Sequence, residues 1–278
     1  MDPTLIPVQA SVESMNYGCL DELFVRLARG ASTTPSFRGS QMGFLTNFFK
    51  NVFHEETADN TTVATSSFDR LSNEELEAHL GVSRYGKFQL TDAIRPSYDL
   101  KVMPQQGYRH DVYVDEESGA RMPVLMVSAS KEILFELFIE LLEPLGEVVD
   151  VVLETSHRKG SAGHSDLYRE HMDRPVLLST LYDFEEMLTN DGCTGIAVLN
   201  PHIPQEVQFD EHKLIIIYGD DITRYERILE AYDILCDDNM RFITEAEHVH
   251  SSSDAFREEF EQLSMRLGMD SHYGSFSH

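Results

Sequence analysis

The sequence predicts an α/β fold: a layered sandwich with a mixed sheet, built from two similar strand-helix-strand units and preceded by an N-terminal helical arm. Residues 124–157 and 214–250 share an order of parts. Each runs from an apolar strand through a polar turn and an amphipathic helix to a second strand ending in Glu, Thr or His. A further helix and strand lie between them, and such alternation implies helices packed on a sheet. The first 66 residues carry neither pattern. The chain therefore divides into an arm (1–66), a small helical and loop connector (67–109), an α/β core (110–250), and a C-terminal helix with a frayed tail (251–278).

Within the arm, Leu20, Leu23, Phe24 and Leu27 lie on one face of a helix that stops at Gly30. A Ser/Thr/Pro/Gly linker follows. Residues 43–53 then place Phe44, Leu45, Phe48, Phe49, Val52 and Phe53 on a narrow aromatic stripe, suited to docking on the core or on a second copy. In the connector, Ser72 and Glu75 form a capping box for a helix that ends at Gly81, and a short strand is expected over 87–90.

The core opens with two strands, 111–115 and 122–127, bracketing the turn Glu116-Glu117-Ser118-Gly119. Helix 131–143 ends at Pro144 and Gly146. Strand 148–153 carries valines at both parities, a sign of burial on two faces. Residues 154–174 read as a polar loop with a short helix at 166–172. A helix near 182–188, strand 194–199 and a Pro-containing loop precede the last unit. That unit joins strand 214–218 to helix 222–235 and a second strand at 240–244. Phe256, Phe260, Leu263 and Leu267 mark a final amphipathic helix.

Charge restricts the function classes. The chain holds 48 acidic and 22 basic residues, a formal net charge of −26. Such a field repels nucleic-acid phosphate and anionic lipid, so a nucleic-acid partner is not expected. Three cysteines, Cys19, Cys193 and Cys236, give neither a disulfide framework nor CxxC spacing. No secretory signal and no membrane-length apolar run is visible, so a cytoplasmic location is expected.

Three constellations could carry chemistry. Tyr218-Gly219-Asp220-Asp221 resembles the metal-binding string of RNA-dependent polymerases, which sits in a hairpin between strands. Here a helix follows at once, and capping of that helix by Asp220 or Asp221 accounts for the acids. Arg158, Lys159, Gly160 and Ser161 form a basic, Gly/Ser-rich loop able to cradle phosphate, though without a Walker A pattern. His157, His164 and His171 recur every seven residues as candidate metal ligands, and His248 and His250 form an HxH pair.

No catalytic set converges in the sequence, and no cofactor is indicated. The expectation is a non-enzymatic protein-interaction or regulatory domain whose partner is another protein or a second copy in a homodimer. The alternative is a phosphate-ligand or divalent-metal-dependent enzyme using the 156–165 loop and the 219–221 turn.

Overall fold

The structure is a computed structural model that describes residues 66–68, 71–114, 120–157 and 165–269. Residues 1–65 of the arm, including the aromatic stretch 43–53, lie outside the described residues, as do Arg158, Lys159, Gly160, Ser161, His164 and the turn 115–119. The class is α/β, with helices and one large sheet.

Helix α1 (Asn73–Leu80) begins as the capping box requires: Glu75 N–H donates to the Ser72 hydroxyl while Ser72 N–H donates to the Glu75 carboxylate. Three short strands follow, β1 (Arg84–Tyr85), β2 (Phe88–Gln89) and β3 (Ile94–Pro96). The main sheet begins with β4 (Gly107–Val114) and β5 (Arg121–Ser128). Helix α2 (Lys131–Leu141) leads to β6 (Val148–Thr155) and β7 (Ser165–Asp173). Helices α3 (Arg174–Tyr182) and α4 (Glu185–Asn190) lead to β8 (Thr194–Leu199), β9 (Gln205–Phe209) and β10 (Ile215–Gly219). Helix α5 (Thr223–Ala231), strand β11 (His248–His250) and helix α6 (Asp254–Arg266) complete the chain.

The seven main strands lie in the order β4-β5-β10-β9-β8-β6-β7. Every neighbouring pair is antiparallel, so the expected mixed sheet is corrected to an antiparallel one. Two elements that the sequence concealed account for the change. Residues 165–173 form a strand rather than a loop with a helix, and its charged residues, Asp166, Arg169, Glu170 and Asp173, fall at both parities and hide its period. Residues 205–209 form β9, which turns straight into β10. Each supplies a hairpin partner where a crossover was expected.

The strand expected at 240–244 is also absent. That segment holds a 3₁₀ turn, Ile243–Glu245, and the strand that follows is β11, paired with β3 outside the main sheet. The helix-to-sheet return after α5 reduces to one parallel bridge between Cys236 and Tyr108.

One sheet face packs beneath α2 to α6. Leu125, Val127, Val151, Leu153, Ile196, Val198, Val207, Phe209, Ile215 and Ile217 point there, against Leu134, Phe138, Leu181, Leu188, Tyr225 and Phe260. Alternation sends Met126, Ile216, Tyr218, Glu206 and Gln208 to the other face, where they are also buried.

Strand direction fixes where loops emerge. Because neighbours alternate, β5, β6 and β9 finish at one end of the sheet, here the upper end, and β4, β7, β8 and β10 start there. The turns 191–194 and 210–214 and residues 156–157 therefore gather at the upper end. Gly219, with Asp220 and Asp221 after it, leaves at the lower end.

Candidate metal centre

The β9–β10 turn, Asp210-Glu211-His212-Lys213, consists of four ionisable residues, each under a tenth exposed. Such a turn survives burial only if its charges are compensated. Asp210 organises it: Oδ1 accepts from Leu214 N–H at 2.8 Å, and Oδ2 lies 2.7 Å from His212 Nδ1. Lys213 adopts a left-handed φ of 61° and donates through Nζ to the Thr194 carbonyl at 2.7 Å. Its Nζ lies over the Phe209 ring. Burial pulls the Lys213 ammonium down to about 8, against the opposing pull of Asp191 and Asp210.

Strand β11 faces this turn. Two residues apart on one strand, His248 and His250 project from the same face, and pairing with Pro96 and Ile94 of β3 fixes their register. The His212 ring lies 5.0 Å from His248 and 4.7 Å from His250, centroid to centroid, and the latter two are 5.1 Å apart. One ligating atom from each of the three lies within 4.8 Å of the others.

The hydrogen bonds identify which nitrogen is free. His248 Nδ1 lies 2.8 Å from the Ala246 carbonyl oxygen, and His250 Nδ1 lies 2.6 Å from that of Gly192. A carbonyl only accepts, so in both rings Nδ1 carries the proton and Nε2 holds a lone pair. His212 Nδ1 is likewise committed, to the Asp210 carboxylate. This arrangement, with the outer nitrogen held by an oxygen acceptor, is the one in which protein imidazoles bind metals. Burial, followed by the nearby His212 charge, depresses His248 and His250 to about 3, so both are neutral at ordinary pH. His212 is pulled down by burial but raised on balance by Asp210.

The turn between α4 and β8 joins this cluster to a second polar one. Gly192 holds His250 through its carbonyl and donates its N–H to Ser251 O at 2.8 Å. A Cβ there would stand 2.4 Å from Ala93 O, so only glycine fits. Next to it, fully buried Asp191 accepts from His157 Nε2 (2.7 Å), the Thr194 hydroxyl (2.5 Å) and the Ser252 hydroxyl (2.5 Å). Burial works to raise the Asp191 carboxyl, but these bonds, His157 foremost, hold it below the usual range. Cys193 is close by, its thiol pushed up chiefly by burial.

The sequence-derived candidates distribute unevenly. His248 and His250 stand in the cluster. His157 stands beside it, committed to Asp191, whereas His171 lies near the far end of β7, on exposed backbone with a φ of 53°, hydrogen-bonded through its N–H to Asp150. Roughly 20 Å of strand separates Ser165, at the upper end of β7, from His171, so His157 and His171 do not share a centre. Asp221 accepts from Thr223 N–H at 3.0 Å in an Asx-type turn just before α5, whose N-cap, Ile222, has no side-chain cap bond, so the expected capping by Asp220 or Asp221 is corrected to this turn, and Asp220 is exposed. Both acids emerge at the sheet end opposite residues 156–157. His212 was not singled out in the sequence. Its signal is the run of four ionisable residues directly before the apolar strand 214–218, dense in charge for an ordinary turn.

No family model matches this chain, and neither a curated protein nor a solved structure matches it.

Proposed function

We propose that this chain binds a divalent transition-metal ion, zinc foremost, through Nε2 of His212, His248 and His250. The observation that carries the reading is that three clustered imidazoles, with one ligating atom from each within 4.8 Å of the others, all have Nδ1 committed to oxygen acceptors, which leaves Nε2 as the nitrogen for a metal once His212 is neutral. Neutral imidazole suits zinc and, among first-row ions, copper and nickel. The three ligands come from the β9–β10 turn and from β11, segments far apart in sequence. An ion there fastens the C-terminal strand to the upper end of the main sheet.

The number of ligands favours a second reading. Three protein donors leave one tetrahedral position for water, and zinc held this way supplies a bound water with a pKa of about 7. A cavity of about 20 Å³ that has room for one water touches the centre only through His212, with Lys213, Leu214 and Phe242 also lining it and neither His248 nor His250 among its walls. The ligands come from the β9–β10 turn and from β11, which pairs only with β3 outside the main sheet, so the fastening role is the favoured one.

The test is zinc stoichiometry by equilibrium dialysis and elemental analysis. The parent chain is expected to lose one equivalent in a His248→Ala/His250→Ala variant and again in His212→Ala alone. Equal zinc content in parent and variants would refute the reading.

A further inference from the structure

A second group of donors lies on the surface, where the chain after α5 meets edge strand β4. We infer that His110, Cys236 and Asp238 form a separate binding site for a zinc-class ion, with thiolate, imidazole and carboxylate donors.

The backbone fixes the meeting point before any side chain is considered. Tyr108 N–H donates to Leu235 O at 3.1 Å, and Asp237 N–H donates to Tyr108 O at 2.8 Å. This ladder sets Cys236 and Asp238 beside His110. His110 Nδ1 is 3.0 Å from Asp238 Oδ1 and 3.4 Å from Cys236 Sγ, and Sγ is 3.4 Å from the same Oδ1. With zinc–sulfur bonds near 2.3 Å and zinc–nitrogen or zinc–oxygen bonds near 2.0–2.2 Å, the edges of a tetrahedral site come to about 3.3–3.6 Å. The three donors therefore already outline one face of such a site, to within a few tenths of an ångström. The fourth position faces solvent, since all three residues are exposed.

The other nitrogen of His110 supplies an independent observation. Nε2 lies 2.9 Å from Glu226 Oε1 on α5. Glu226 thus holds the ring so that Nδ1 points at the thiol and at Asp238, the carboxylate–imidazole arrangement that orients metal-bound histidines. His110 N–H also donates to Asp238 Oδ1 at 3.1 Å, which fixes that carboxylate. On ligation the thiol proton and the proton that His110 Nδ1 gives to Asp238 both leave to solvent, so sulfur binds as thiolate and Nδ1 through its lone pair, while Nε2–H stays on Glu226.

The site has a structural consequence. Cys236 begins the segment that ends in His248 and His250, so an ion here would tie down one end of residues 236–250 while the histidine centre ties the other. Among the described residues, Cys236 is an exposed thiol and Cys193 a half-buried one.

Anaerobic titration of the full chain with Co²⁺, followed by absorption, tests the inference. A thiolate-to-cobalt charge-transfer band in the near ultraviolet is expected. It should persist in Cys193→Ser and in His248→Ala/His250→Ala, vanish in Cys236→Ser, and require about 10–100-fold more Co²⁺ in Glu226→Gln. Cys236 is exposed, so its serine variant should keep the parent circular dichroism, and Asp238→Asn provides a second probe that leaves all thiols in place and should weaken the band's titration. Absence of the band in the parent, or its survival in Cys236→Ser, overturns the inference. Survival of the band in His248→Ala/His250→Ala, with loss of one zinc equivalent, separates this site from the histidine centre.

Discussion

His250 Nδ1 donates to the carbonyl oxygen of Gly192 across 2.6 Å, tying the C-terminal strand to the turn that begins β8. The bond fixes the tautomer of His250, and it exists only because Gly192 can enter the gap between Ala93 O and Ser251. A backbone position without a side chain thus determines which histidine nitrogen is available.

Gly192→Ala should therefore weaken metal binding without touching a ligand. The added methyl would meet Ala93 O at 2.4 Å, forcing β3 and β11 away from the turn. Calorimetric zinc titration should show a loss of about 10–100-fold, and denaturant unfolding a loss of about 2–3 kcal/mol. Unchanged zinc affinity would show that the turn does not position His250.

Asp210→Asn separates charge and proton placement from shape. Asparagine can still accept from Leu214 N–H, so the turn should persist. If its amide NH₂ faces His212 Nδ1, that nitrogen must accept, and the proton moves to Nε2, where it blocks the lone pair. Zinc affinity should fall about 10–100-fold with little change in melting temperature, and calorimetry paired with a thermal melt will check both.

Glu206 should make stability fall as pH rises. Its side chain is 1% exposed, and burial raises its carboxyl from 4.5 to about 8. Between those values the unfolded chain has released the proton while the folded chain retains it, so ΔG of unfolding declines with rising pH and levels off above about 8. The loss is on the order of a few kcal/mol. Glu206→Gln keeps the shape and stays neutral, so urea unfolding should find the variant more stable than the parent at pH 8.5, with the gap narrowing towards pH 5. A gap independent of pH would contradict this account.

Phe138 fills the space between α2 and the sheet, fully buried and 5.1 Å from the Phe209 ring, centroid to centroid. Phe138→Ala should cost about 3–5 kcal/mol. Its ring rests on Phe209, the residue before Asp210, so the variant should also lose some zinc affinity, which a titration of the folded variant will measure.

What the sequence revealed followed the strength of local signals. The capping box at Ser72 and Glu75, the apolar helix at 131–141, and strands 148–155, 194–199 and 215–219 are each marked by their own residues. Strand β9 was obscured because Glu206 and Gln208 are polar yet buried, so its pattern resembles a loop after Pro204. Strand β7 was obscured by charge at both parities, since it is an edge strand paired only with β6. With two strands missing, the pairing scheme came out mixed instead of antiparallel. The histidine centre was half legible: HxH in a strand puts two imidazoles on one face, but only three-dimensional pairing brings His212 to them. The carbonyls that set the tautomers, at Ala246 and Gly192, leave no trace in residue type beyond the glycine itself.

The most direct measurement is the zinc K-edge absorption spectrum of the Cys236→Ser chain loaded with one equivalent, which leaves the histidine centre as the occupied site. The expected result is a four-coordinate nitrogen/oxygen shell at about 2.0–2.1 Å with the outer-shell scattering of three imidazoles. A six-coordinate shell of water oxygens, or a spectrum unchanged when His212, His248 and His250 are replaced by alanine, would contradict it.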